Sequence, residues 1–233
     1  MNNACVVVFS GGQDSSTCLA AALKSYDDVY TVGFSYGQRH AVEMQCRERI
    51  LGQIEAILGT SSLRTDTVVP MESFGALSKC ALTAPGAIEE DAKTGLPTSF
   101  VPGRNLVFLT YAAALAWQVG ARDIISGVGQ TDYSGYPDCR ENTIRALETA
   151  INLGMESHFR LLSPLMTLTK GQTWKLAEDT GGRRLVEFLV RETHSCYEGV
   201  RDTLHPWGYG CGRCPACRLR EAGWKEYETL MRR

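Results

Sequence analysis

No internal repeat, low-complexity tract, long apolar run or excess of either charge sign occurs in the 233 residues. Lys and Arg number 24 against 26 Asp and Glu, a formal charge of −2. So balanced a chain sets up no field that would gather a polyanion or coat an anionic membrane, and any nucleic-acid contact would have to be local. The most apolar window, Leu106 to Val119, spans about 14 residues against the ~20 that a bilayer requires, so it reads as a buried helix. The opening residues carry no basic stretch, and the apolar run from Ala4 to Phe9 falls short of the roughly 7 to 15 residues of a signal peptide. No export signal is expected, and the cytoplasm is the expected compartment. With 44% hydrophobic and 21% charged residues, disorder, collagen and coiled coil are excluded in favour of a globular chain.

What is present is an alternation. Ala4 to Phe9, Val29 to Phe34, Leu63 to Val69 and Asp123 to Val128 carry strand patterns. Between and after them, Asp14 to Leu23, Arg39 to Leu58, Asn105 to Val119 and Glu141 to Leu153 carry helical ones. Such alternation predicts an α/β fold with a doubly wound, mainly parallel sheet covered on both faces. Thr169 and Gln172 form a capping-box pair that opens a helix through Asp179, which Gly181 and Gly182 stop. Pro70 to Gly103 is a long stretch of small and polar residues, expected to be a lid or to hide a short helix at Met71 to Lys79. The tail, from Cys196 onward, ends in a short polar helix and differs in kind. We divide the chain into an α/β unit, 1–192, and a small metal-binding appendage, 193–233.

Ser10-Gly11-Gly12-Gln13-Asp14-Ser15-Ser16 lies where parallel sheets bind ligands, beyond a strand and at the start of the next helix. Glycines let successive N–H groups converge, serines add donors, and the helix dipole adds positive character, so a phosphate is the expected guest. The loop has neither the GxxxxGK[ST] lysine nor GxGxxG spacing. Asp14 beside phosphates would be repulsive without a cation, which points to nucleotide bound with Mg²⁺. The plainer alternative is a tight turn capped by Asp14. The S-G-G-x-D-S motif resembles that of the pyrophosphatase-loop ATP enzymes, a family that cleaves between the α and β phosphates and transfers AMP.

Cys196, Cys211, Cys214 and Cys217, spaced C-x14-C-x2-C-x2-C, can converge on one tetrahedral ion. Zn²⁺ held by all four is the leading reading, and Arg213, Arg218 and Arg220 could offset its thiolate charge. An iron–sulfur cluster, a redox dithiol, and zinc with His194 or His205 in place of Cys196 are the rivals. Of the nine cysteines, Cys5, Cys18, Cys46 and Cys80 sit in or beside apolar segments and read as core residues.

The loop Gly129 to Arg140 offers Asp132, Tyr133, Tyr136, Asp138 and Arg140, rings and carboxylates suited to a flat heterocycle, or else an ordered surface turn. Phe100-Val101-Pro102-Gly103-Arg104-Asn105 brings a cation to a helix start, either an anion clamp or a plain cap. Lys170 also stands at a helix start, an unusual place for a cation unless an anion is near, and reads as a phosphate contact or as a solvated lysine. His40, beside Arg39 and past the second strand, points toward the same ligand edge or is a structural hydrogen-bonder.

Taken together, Val8 to Ser15, Tyr36-Gly37-Gln38-Arg39-His40, Phe100 to Asn105, Thr131 to Arg140 and the C-terminal cysteines resemble the 7-cyano-7-deazaguanine synthases of the queuosine pathway, nearly end to end. The resemblance implies an adenine nucleotide alpha hydrolase-like fold and a ligase that turns 7-carboxy-7-deazaguanine and ammonia into the nitrile; the alternatives are a tRNA thiolase of the same superfamily and a non-catalytic zinc module that binds nucleotide or tRNA. ATP activates the carboxylate and then the amide. It also implies a homodimer with Mg²⁺ and Zn²⁺, acting on small molecules, with no direct nucleic-acid or membrane partner. Nucleotide contacts would come from Val8, Phe9, Ser10, Gly11, Gly12, Gln13, Asp14, Ser15, Ser16, Thr17 and Cys18, with Asp14, Arg104 and Lys170 as the catalytic set. Arg39, His40, Asp132, Tyr133, Tyr136, Asp138 and Arg140 would hold the deazapurine. With no region left for a glutaminase, free ammonia is the expected nitrogen donor. Two departures stand out: the Cys196 to Cys211 gap is wider than usual in the family, and Gln172 stands where an acidic residue is common.

Overall fold

The computed structural model describes residues 3–36, 42–77, 95–130 and 136–232. Five strands, β1 (Ala4–Val8), β2 (Asp28–Ser35), β3 (Leu63–Pro70), β4 (Asp123–Ser126) and β5 (Arg160–Leu162), form one sheet in the order β3-β2-β1-β4-β5. Every pairing in it is parallel, as the alternating pattern requires. The chain winds one way from β1 to β3 and the other way from β4 to β5, so the order reverses between β1 and β4. A crevice at such a reversal, outside the strands' carboxyl ends, is where open α/β sheets take ligands.

Central strand β1 is buried on both faces, and its side chains alternate between two cores. Cys5, Val7 and then Phe9 point to α1 (Gln13–Ser25) and α7 (Lys170–Glu192), while Ala4 and Val6 meet α5 (Arg104–Val119) and α6 (Glu141–Gly154), described below in chain order. Between β2 and β3 lie α2 (Val42–Leu51) and α3 (Ile54–Leu58), and α4 (Glu72–Leu77) follows β3. The single helix expected over Arg39 to Leu58 is therefore two. Gln53, at φ −129° and ψ −23°, leaves helical geometry, and the break at Gly52-Gln53 still leaves Ile50, Ile54 and Leu58 buried in one core. Helix α4 falls inside the span expected for a hidden helix, whose last residues, with Cys80, lie outside those described.

Helix α7 carries the expected capping box in full. Gln172 N–H donates to the Thr169 hydroxyl at 3.1 Å, and Thr169 N–H donates to Gln172 Oε1 at 2.9 Å. Gly182 interrupts it at φ +69° and ψ −174°, yet helix resumes to Glu192. Leu185 and Leu189 are fully buried beyond the break, each contributing about 1.5–3 kcal/mol of burial, which outweighs the glycine's helix penalty of about 1 kcal/mol.

Beyond residue 193, β6 (Leu204–His205) and β7 (Gly208–Tyr209) make a small antiparallel hairpin, and α8 (Pro215–Leu230) closes the fold. Neither the short β5 nor this hairpin is marked by periodicity. Helix α8 is longer and less polar than the tail's composition suggests, because Cys217, Arg220, Gly223, Trp224 and Tyr227 share one buried face. That face packs on α7: Trp224 meets Trp174 edge-on at 5.3 Å, and one hydrophobic cluster runs from β1 to Tyr227. Among the described residues no helix is long and apolar enough to cross a membrane.

Candidate functional site

The glycine turn sits at the crevice the topology defines. Gly11 takes φ +87°, a region closed to most side chains, and a Cβ there would lie 2.8 Å from the Glu43 carbonyl oxygen. From the other side, a Cβ on Gly127, just past β4, would lie 2.9 Å from Ser15 N, so two backbones meet directly over the start of α1. Helix α1 has Gly12 as its N-cap and no side-chain cap. Its serines serve the turn itself: Ser15 Oγ accepts from Ser10 N–H at 3.2 Å, and Ser16 Oγ donates to the Gly12 carbonyl at 2.7 Å. Ser10 Oγ likewise accepts from Gly12 N–H at 3.3 Å, so the hydroxyls are engaged within the turn.

Two buried polar atoms at this helix start, Asp14 Oδ1 and Gln13 Nε2, have no hydrogen-bond partner among the described residues. A buried polar group without a partner costs about 1–3 kcal/mol, and a ligand or cation here would satisfy both. The donor set thus fits a metal-bound polyphosphate, with an acceptor for the cation and amides for the anion. Of the run Val8 to Cys18, Phe9, Thr17 and Cys18 are core side chains, and burial raises the Cys18 thiol well above its ordinary range.

Lys170 opens α7, and its Nζ lies 2.6 Å from Asp14 Oδ2. The anion that a cation at a helix start demands is therefore Asp14, brought from the far end of the sequence to the glycine turn. Both side chains are partly exposed, so the pair faces the crevice.

Arg104 stands across the crevice at the first position of α5, after Gly103 at φ +75°. Its guanidinium lies 6.0 Å from the Tyr36 ring centre and 5.9 Å from that of Tyr136, and Nη1 donates to the Tyr36 hydroxyl at 3.4 Å. Burial opposes its charge, but Tyr36, Tyr136 and Asp138 together hold it above its ordinary range. Tyr136 is fixed by a 2.6 Å hydrogen bond between its hydroxyl and that of Ser99. Asp138 Oδ2 accepts from Asn105 N–H at 3.0 Å, capping α5 from another loop. Arg140 is exposed beside Gln130 and Arg145. Glu43, in the first turn of α2, is half-buried near Arg104, and burial pushes its carboxyl up to about 7. Arg39, His40, Asp132 and Tyr133 lie outside the described residues.

Cys196, Cys211, Cys214 and Cys217 converge so that their sulfurs all lie within 4.8 Å of one another. Backbone N–H groups of Cys211, Cys214 and Cys217 each donate to the preceding cysteine's sulfur, at 3.3–3.5 Å. The side-chain hydrogen bond between Cys214 and Cys217 lowers the Cys214 thiol and raises that of Cys217, the mark of two thiols sharing one proton. Soft donors in a closed, hydrogen-bonded set fit a structural metal ion. Neither histidine rival joins them: His194 Nε2 pairs with the Cys196 carbonyl at 3.1 Å, and His205 with that of Gly210 at 3.0 Å. The wide cysteine gap holds the β6-β7 hairpin, where His205 stacks on Trp207 at 4.4 Å.

Arg47 and Tyr36 escape sequence reasoning as supports, and Arg220, expected to offset thiolate charge, has a further role. Buried Arg47 of α2 donates to the Phe9 carbonyl and to Asp66 of β3, bracing the turn's entry, and Gly33 leaves it room. Buried Arg220 donates to the Trp207 carbonyl at 2.7 Å and to Thr193 Oγ1 at 2.7 Å, tying α8 to the hairpin and to the end of α7. Tyr36 stands beside Arg104. Charged residues inside amphipathic helices carry no signal of burial; only glycine at position 33, within a strand, hints that something large packs against it.

Comparison with known proteins agrees with the resemblance. The chain is 56% identical over 232 residues to a 7-cyano-7-deazaguanine synthase of Alkalilimnicola ehrlichii, covering 98% of this chain and 97% of that one. To the synthase of the same name from Gluconacetobacter diazotrophicus it is 54% identical, over 97% and 93% of the two chains. Among solved structures, it is similar to a 4-thiouridine synthetase in complex with RNA and bound ATP, at a TM-score of 0.47 and 17% identity over 99% of this chain and 52% of that one. The family model described as queuosine biosynthesis protein QueC matches residues 4–228. With a match of that extent and relatives so close along their whole length, the chain belongs to the queuosine biosynthesis protein QueC family.

Proposed function

We propose that this chain is an ATP-dependent 7-cyano-7-deazaguanine synthase, converting 7-carboxy-7-deazaguanine and ammonia to the nitrile. Bound ATP supplies activation: AMP is transferred to a carboxylate oxygen with release of pyrophosphate, ammonia displaces AMP to give the amide, and a second activation of the amide oxygen permits loss of AMP and a proton to give the nitrile. The residues' work is positioning and charge stabilisation. Main-chain amides of the glycine turn hold the polyphosphate, Asp14 holds Mg²⁺ through its unpartnered oxygen, and Lys170 and Arg104 neutralise charge that develops at the reacting phosphate. Tyr136, Asp138 and Arg140, with Arg39, His40, Asp132 and Tyr133, contribute to the deazapurine pocket. Four cysteines hold one structural Zn²⁺. We place the enzyme in the cytoplasm as a homodimer.

The observation that carries this reading is the Lys170–Asp14 contact at 2.6 Å, a cation and a metal-competent carboxylate side by side at the mouth of an uncapped helix start. To test it, the purified chain is incubated with the deazaguanine acid, ATP, Mg²⁺ and ammonium, and the products are resolved by mass. Nitrile with AMP and pyrophosphate is expected; ADP instead would overturn the phosphate assignment. Turnover with glutamine but not with ammonium would overturn the use of free ammonia.

A further inference from the structure

Helix α8 begins at the cysteine cluster but also reaches the nucleotide edge. Its Glu226 accepts from the Thr169 hydroxyl at 2.7 Å and from Gly171 N–H at 3.1 Å, so one carboxylate brackets Lys170 on both sides. Gly171 N–H is one of the donors that α7 cannot satisfy within itself, and a carboxylate there is favoured by the helix dipole. Nearly one turn earlier, a Cβ on Gly223 would lie 2.4 Å from Lys170 Cβ, and a Cβ on Gly171 would lie 2.5 Å from Glu226 Cγ. Both helices therefore approach as closely as glycine allows, at the residue that faces Asp14. The same helix supplies Cys214 at its N-cap and Cys217 in its first turn, and Arg220 pins it to the Thr193 hydroxyl and the Leu189 carbonyl.

We infer that Glu226 is a positioning residue for the nucleotide site: carried on the cysteine-anchored helix, it holds residues 169–171 so that the Lys170 ammonium stands at the glycine turn. Asp14 by itself fixes only the end of the Lys170 side chain, whereas Glu226 and Gly223 fix the backbone it grows from. This rests on Lys170 contacting phosphate, as proposed above.

The metal-loaded full chain is compared with Glu226→Ala, Glu226→Gln and Lys170→Ala by calorimetric titration with ATP and Mg²⁺, alongside melting temperature and metal content. Glu226→Ala is expected to weaken ATP binding about tenfold, or about 1.4 kcal/mol, with metal content and the KM for the deazaguanine acid unchanged. Glu226→Gln keeps an acceptor for one of the two donors and is expected to fall between. If Glu226→Ala binds ATP within twofold of the parent while Lys170→Ala is tenfold weaker, Glu226 has no positioning role. If Lys170→Ala binds like the parent, the phosphate assignment fails and takes this inference with it. Should Glu226→Ala lose its metal or melt far below the parent, the decision passes to Glu226→Gln, and parental affinity there overturns the proposal.

Discussion

The glycine turn and the cysteine cluster both present converging polar atoms, but one is open and the other closed. At the turn, the N-cap has no side-chain partner, and Asp14 Oδ1 and Gln13 Nε2 are buried without one among the described residues. At the cluster, backbone N–H groups answer three of the sulfurs, and three of the four cysteines are buried. An open set waits for a ligand that comes and goes; a closed set serves an ion that stays. Stability should therefore depend on the cysteines, and turnover on the turn.

The largest separation of the two is expected from Cys211→Ser. Losing one of four thiolates should release the metal and cost on the order of 5 kcal/mol, lowering the melting temperature by about 10–20 °C. Metal content and a thermal scan measure it, and a colourless parent with one zinc per chain would exclude an iron–sulfur cluster. Asp14→Asn should do the reverse. It should lower kcat by about 10²–10³-fold, corresponding to about 2.7–4 kcal/mol, while the melting temperature moves by only a few degrees. Large losses of both kinds in one variant would dissolve the distinction.

Gly11→Ala blurs it by design. The φ of +87° and the Glu43 carbonyl at 2.8 Å from a new Cβ should cost about 1–3 kcal/mol in a denaturant melt and weaken ATP as well. Smallest is the effect of Glu43→Gln. Burial raises the Glu43 carboxyl from an ordinary value near 4.5 to about 7, so the folded state holds its proton more tightly than the unfolded one. Its stabilising share is complete below about pH 4.5 and is lost as pH rises to about 7. The variant should gain about 1 kcal/mol over the parent at pH 8 and nothing at pH 4, a modest gain because the half-buried group is partly screened by water.

Much of this architecture is written locally. The capping box at Thr169 and Gln172 forms with both its bonds, the glycine turn follows a strand patterned as fully buried, and the cysteine spacing closes as its chemistry requires. An anion beside Lys170 is foreseeable from the helix dipole, although nothing local says that it is Asp14. What stays hidden is settled by tertiary contact. Strand β5 has three residues and is held by Arg160 on Asp123, too short to show a period. Oδ2 of Asp138 caps the start of α5, a partner distant in sequence. Arg47 and Glu226 read as solvated charges on amphipathic helices until packing buries or pairs them, and Arg220 reads only as a counter-charge to the cysteines.

The perpendicular contact of Trp174 with Trp224 gives the molecule a built-in reporter. One indole is wholly enclosed and the other nearly so, at the seam where the last helix docks. Ultraviolet emission should shift to the red when that seam opens, so docking of the final helix can be followed in real time without any label, during chelation as readily as during refolding.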